Sequence, residues 1–189
     1  MADDQLSPTA VRIAVALVAL LAVGVVVAGL VLTSGDEPVT NPSTTAAPRT
    51  GPVAVVGVDA PDARSADCAS LMKALPNTLP DSGKTLHRLA IAKPAPPAAA
   101  VWGGDRGEPV VLRCGLPRPD ELTPTSALRD ISGVQWLPIE GAGATTWVVV
   151  DRAVYVALTV PAGSGTGPLQ DVSAAVGGAL PARPVRVRG

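Results

Sequence analysis

The sequence predicts an α+β protein. A mainly antiparallel sheet with two helices packed on it follows one N-terminal transmembrane helix and a disordered linker. Three observations carry this reading. A 20-residue run from Ile13 to Leu32, IAVALVALLAVGVVVAGLVL, contains no charged or polar side chain. Downstream, short β-branched runs recur between Gly- and Pro-rich breaks, the pattern of strands and turns. Two further segments place apolar residues at helical spacing.

The apolar run comes first. At about 1.5 Å per residue it spans roughly 30 Å, the thickness of a bilayer's hydrocarbon core, and a helix satisfies its own backbone polar groups there. It is longer than the roughly 7–15 apolar residues of a cleaved signal peptide. Its exit through Val31, Leu32, Thr33 and Ser34 offers no small-x-small cleavage pattern, and no cysteine follows for lipid attachment. It therefore reads as an uncleaved signal anchor. Arg12 lies just before the run, and no Lys or Arg follows until Arg49. Cations flank spans on the cytoplasmic side. The expectation is a single-pass cell-membrane protein with residues 1–12 as a cytoplasmic tail and its main domain outside, in the cell envelope.

Residues 33–52, TSGDEPVTNPSTTAAPRTGP, bury too little to offset ordering entropy and read as a mobile linker. Ser43, Thr44 and Thr45 beside prolines could carry O-linked glycans, though a plain linker has the same composition. Residues 53–181 form the extracytoplasmic α+β domain, and residues 182–189 a basic tail containing Arg183, Arg186 and Arg188.

Within the domain, residues 53–58 (VAVVGV) predict the first strand. Asp62 or Ser65 can cap a helix whose buried face is Cys68, Leu71, Met72 and Leu75, and which Pro76 ends. Residues 85–91 predict a weaker strand, 93–100 a loop, 102–109 a turn-rich link and 110–114 a compact strand. Residues 116–129 mix prolines with a short helix capped by Thr125 or Ser126. Residues 134–139, 145–150 and 153–160 predict three more strands, with Asp151 and Arg152 at a tight hairpin turn. In the last strand Val154, Val156, Leu158 and Val160 form the buried face, and Tyr155, Ala157 and Thr159 the half-exposed one. Residues 163–167 are a loop, and Pro168 opens a helix with the stripe Leu169, Val172, Val176 and Leu180. The predicted order is β-α-β-β-(short helix)-β-β-β-α.

Charge excludes one class of partner. Of 15 Lys plus Arg and 16 Asp plus Glu, Arg12, Asp3 and Asp4 precede the span, leaving 14 of each sign beyond it. Such a balance carries no electrostatic footprint for nucleic acid. Aromatic residues are few: Trp102, Trp136, Trp147 and Tyr155, with no Phe. The core must be Val, Leu and Ala.

Cys68 and Cys114 are the two cysteines. Outside the membrane such a pair favours one disulfide, tying the first helix to a central strand, over two buried thiols. Closing a loop of roughly fifty residues is worth about 4 kcal/mol on the chain-entropy model. Their spacing is not that of a CxxC redox site, and two Cys with the single His87 make no zinc set. No metal or other cofactor is expected. His87 lacks a partner motif for nucleophilic catalysis, since no G-x-S-x-G occurs. Gly163, Gly165 and Gly167 sit between a strand and a helix, where amides cradle phosphates, but the spacing favours a plain connector. Asp59, Asp62 and Asp67 match no calcium-loop spacing. Trp102, with Asp105, Arg106 and Glu108 nearby, reads as an exposed partner anchor or, preferably, as a lid on the core. Arg113 and Tyr155 join Trp102 and Asp105 as candidate interaction residues.

Several segments together carry a resemblance. They are Cys68-Ala-Ser-Leu-Met-Lys-Ala-Leu-Pro76, Trp102-Gly, Val110-Val-Leu-Arg-Cys-Gly-Leu-Pro-Arg-Pro119, Leu122-Thr-Pro-Thr-Ser126, Val134-Gln-Trp136 and Arg152-Ala-Val-Tyr-Val156. With these the chain resembles the actinobacterial membrane-anchored proteins grouped as domain-of-unknown-function family 3515. The insertion at residues 104–107 departs from the family's Trp-Gly-Asp-Pro run. The resemblance implies a single-span extracytoplasmic protein and adds no activity.

The functional expectation is a non-catalytic binding or interaction domain, tethered through Ile13 to Leu32 and facing an envelope protein or cell-wall component. Two alternatives remain open. One is an envelope hydrolase or transferase using Asp105, Glu108 or Asp151, and the other a small lipid or ligand carrier.

Overall fold

A computed structural model describes residues 48–187. The expected cytoplasmic tail, the expected transmembrane helix and most of the expected linker fall in residues 1–47, outside the described residues. Among the described residues no helix is long and apolar enough to cross a membrane.

Helix α1 (Ala66–Ala74) starts where Ser65 accepts the Cys68 N–H at 3.2 Å. Cys68, Leu71 and Leu75 are buried, and Met72 packs at the margin. Pro76 follows its end, where no further helical hydrogen bond can be donated. Eight strands come next: β1 (Thr78–Asp81), β2 (Lys84–Arg88), β3 (Ala99–Gly103), β4 (Val110–Leu116), β5 (Arg129–Ile131), β6 (Val134–Gly141), β7 (Ala144–Val149) and β8 (Tyr155–Pro161). Helix α2 (Gly167–Ala179) closes the domain, with Pro168 in its first turn.

The strands form one antiparallel sheet in the order β1-β2-β3-β4-β8-β7-β6-β5. It consists of two four-stranded meanders joined where β4 pairs with β8. Three hairpins close through two-residue loops ending in glycine: Ser82-Gly83, Ser132-Gly133 and Ala142-Gly143. Positive φ at five of these six positions gives the twist that tight hairpins need.

Both helices lie on one face. Cys68, Leu71 and Leu75 of the first and Leu169, Val172 and Val176 of the second enclose Trp102, Leu112, Trp136, Val156 and Leu158. Buried Trp136 donates its ring N–H to Ser173 Oγ at 2.9 Å, and Ser173 donates to the Leu169 carbonyl at 2.6 Å. The indole thus satisfies its one donor inside the core. A disulfide joins Cys68 to Cys114, Cα to Cα 5.7 Å, and ties α1 to central strand β4, as expected of the cysteine pair.

The other face is covered too, which corrects the expectation for β8. Tyr155 and Ala157 are not half-exposed but 8% and 5% exposed. The long β4–β5 connection brings Leu122 over them, with Leu116, Leu128 and Val185 at the edge. The C-terminal tail is therefore part of the fold up to Val185. Arg183 donates its N–H to the Asp151 carbonyl at 2.8 Å, and Arg186 stacks on the Tyr155 ring at 5.9 Å.

Three other expectations are corrected. Residues 53–58 are no strand: only Val53 makes a bridge, to Ile91, and the rest runs as an extended strap toward Gly115. β-propensity describes fit to a pleated surface and does not supply a pairing edge. No helix forms over residues 116–129. Pro117, Pro119 and Pro124 remove donors, and Ser126 Oγ takes the Thr123 N–H at 2.9 Å while donating to the Glu121 carbonyl. Strands β1, β3 and β5 are additions: β1 and β5 lie at sheet edges, and β3 (Ala99–Gly103) runs where a loop and a turn-rich link were expected. Pro80 is tolerated in β1 because an edge strand leaves one side unpaired.

Gly115 shows how closely the strap's end is applied. Its φ is +86° at a bulge in β4, and its carbonyl accepts the Asp62 N–H at 3.0 Å. A Cβ there would sit on the Asp62–Ala63 backbone. Adjacent residues Cys114 and Gly115 thus hold helix and strap to the same strand.

Candidate functional site

The four candidate interaction residues do not meet. Trp102 is fully buried in the helix-side core, donates its ring N–H to the Pro76 carbonyl at 2.9 Å and carries Arg88 on its face at 4.7 Å. It is the lid on the core, not an exposed anchor. Tyr155 is buried on the opposite face. Asp105 is exposed in the β3–β4 loop. Arg113 lies mid-strand in β4.

The candidate carboxylates are split as well. Asp105 and Glu108 occupy the loop between β3 and β4, and Asp151 follows β7 at the other end of the strands. The seven residues of β4 make that separation about 20 Å. Asp151 is occupied: its Oδ2 pairs with Arg152 Nη1 at 2.6 Å, both side chains being buried. Arg152 also donates to the Gly133 carbonyl at 3.1 Å, so the pair pins the β5–β6 hairpin to the β7–β8 turn. Near Asp105 and Glu108 a polar pocket of about 530 Å³ mixes them with Asp81, Lys84 and Arg106. Among the described residues no three His, Cys, Asp or Glu converge as metal ligands. His87 stands exposed on β2.

The glycine loop has a packing role. The Gly165 N–H donates to Asp81 Oδ1 at 2.6 Å, so that amide is engaged within the protein. A Cβ on Gly167 would strike the Pro80 backbone. These glycines let the connector press against the β1–β2 hairpin.

A second cavity has a different character. Strand alternation sends Val110, Leu112 and Cys114 into the helix-side core and Val111 and Arg113 to the opposite face. There Val111 pairs with Thr159 of β8, and the Thr159 and Thr146 hydroxyls share a hydrogen bond at 3.1 Å. The strap crosses this face, leaving an open groove of about 450 Å³ between itself and the sheet. Its lining is apolar apart from Thr159, Glu108 and Arg113, with Val53, Val56 and Val111 prominent. Val56 is 78% exposed and Val58 50%.

Arg113 is the unusual group. Its one hydrogen bond among the described residues runs from Nη2 to the Val56 carbonyl at 3.3 Å. Its Nε is buried without an acceptor, and no carboxylate lies within ion-pair distance among the described residues. Burial holds its pKa below the usual guanidinium value, because removal from water disfavours the charge. Sequence reasoning found Arg113 but not Val56, Val111 or Thr159. The mid-strand arginine was the available signal, while the strap's position depends on remote contacts.

The model of a family described as "Protein of unknown function (DUF3515)" matches residues 13–185. The chain belongs to the DUF3515 family. Its match ends at Val185, the tail residue that packs against the back of the sheet. Within this DUF3515 chain the Leu-Arg-Cys-Gly segment gathers three roles on one strand. Arg113 faces the groove, Cys114 bonds to α1, and Gly115 receives the strap. No curated protein and no solved structure matches the chain.

Proposed function

We propose that this protein is a single-span envelope protein whose disulfide-locked domain lies outside the membrane and binds a ligand without transforming it. The groove behind the sheet is the binding surface. The observation that carries the reading is the half-buried Arg113, without a counter-ion among the described residues, at an apolar groove of small-ligand size. Such sites are commonly roughly 300–1,000 Å³, with few placed polar groups on mostly apolar walls. The buried Cys68–Cys114 bond supports an oxidising compartment, because such bonds persist outside the cytoplasm. The separation of Asp105 and Glu108 from Asp151 weighs against a shared catalytic centre.

The test is native mass spectrometry of the full-length protein taken from its own membrane in lipid particles. Val111→Trp fills the groove from its floor. The wild type should carry an adduct that the variant lacks at an unchanged melting temperature. A bare wild type, or an adduct equal in both, overturns the reading.

A further inference from the structure

We propose that the groove takes a long-chain carboxylate, with its acyl chain on Val53, Val56 and Val111 and its carboxylate held by Arg113. The inference rests on the binding reading above and names the ligand class of that site.

The walls argue for hydrocarbon. Val53, Ala54 and Val56 of the strap line the groove, and Val55 and Gly57 line a second cavity beside it that Ala54 also borders. In an extended chain the hydrogen-bonding edge runs perpendicular to the side chains. The Val56 carbonyl of the strap already accepts from Arg113 and is not free to pair with an added strand. A peptide adding as a strand needs that backbone edge, so an acyl chain fits better. The Thr159 hydroxyl on the floor is already engaged with Thr146.

The charge argues for an anion and fixes its place. Arg113 makes one long hydrogen bond and has no carboxylate within ion-pair distance among the described residues. A guanidinium presents a planar fork that matches a carboxylate with two parallel bonds. Half-burial strengthens such a bond by lowering the local dielectric. Glu108 borders the groove at the start of β4 and repels an anion there, so the carboxylate goes to the Arg113 end. The chain then lies along the apolar floor, where burial favours it in proportion to area.

The test uses the full-length protein in phosphatidylcholine nanodiscs. A diazirine-bearing long-chain fatty acid and the matching alcohol serve as probes, and labelled peptides are mapped by mass. The acid should label the strap and the Val111 region, and unlabelled palmitate should compete. Arg113→Gln should cut this labelling about tenfold, and the alcohol should label to a similarly reduced extent, the range expected for one charge-assisted bond. Arg113→Lys, which keeps the charge and the fold's stem packing, should restore part of it. Equal labelling by acid and alcohol, unchanged in Arg113→Gln, overturns the carboxylate while leaving the groove as a binding surface. Labelling insensitive to palmitate means contact with bilayer lipid and overturns the proposal. Absence of groove labelling by either probe overturns the binding reading with it.

Discussion

Removing the disulfide is the most informative perturbation of the fold. Cys68 and Cys114 are both fully buried, and the bond closes a loop of 46 residues. On the chain-entropy model the loop term for that length is about 4 kcal/mol at 25 °C. The structure indicates where this is spent. Helix α1 has nine residues, too few to persist alone in water, and its apolar contact is mainly Cys68, Leu71 and Leu75. The bond is its one covalent cross-link to central strand β4. A Cys68→Ala/Cys114→Ala variant should lose about 4 kcal/mol of unfolding free energy in urea, and reduced wild type a similar amount. Hydrogen exchange should show α1 opening first, ahead of β4 and β8. A loss below about 1 kcal/mol, or an α1 as protected as β4 after reduction, would refute the reasoning.

Other perturbations test the remaining joints. Arg152→Met leaves Asp151 buried and unpaired and should cost about 3–5 kcal/mol, whereas Asp151→Asn/Arg152→Met should cost far less than the sum of the single changes. A double-mutant cycle by urea melts reads the coupling. Gly115→Ala should cost about 2 kcal/mol or more, since φ is +86° and the new Cβ meets the Asp62–Ala63 backbone. Gly143→Ala, at φ +79° in open space, should cost only about 1 kcal/mol by the same melts. Trp102→Ala should lower stability by about 3–5 kcal/mol, and iodide should leave the Trp102 and Trp136 fluorescence unquenched, as their full burial requires.

Legibility in the sequence followed local apolar patterning. Both helices were readable because Cys68, Leu71 and Leu75, and likewise Leu169, Val172 and Val176, repeat at helical spacing between proline boundaries. Strands β4, β6, β7 and β8 were readable because central strands concentrate β-branched residues. Strands β1, β3 and β5 were not: β3 is buried, but its Ala-Ala-Val-Trp-Gly run follows a Pro- and Ala-rich stretch and holds one β-branched residue. Edge strands bury little, and Pro80 or the Arg129-Asp130 pair hides the alternation that remains. Residues 53–58 have the composition of a strand, but a strand needs a free edge, and no local pattern reports one. The burial of Tyr155 and Ala157 depends on Leu122 and Val185, each about thirty residues away. The candidate site divided along the same line. Arg113 was visible as a charge within an apolar strand. The groove that gives it meaning is formed by the strap, β4 and β8, which only the tertiary structure brings together.

The central claim is an anchored, disulfide-bonded domain outside the membrane. It is tested most directly by thiol labelling of the full-length protein in intact cells with a reagent that cannot cross the membrane, with and without reductant, followed by intact mass. The account predicts that Cys68 and Cys114 label only after reduction and that the mass retains the apolar run through Gly189. Free thiols that label only after lysis would contradict it, placing the domain in the cytoplasm and removing the oxidising environment on which the disulfide argument stands.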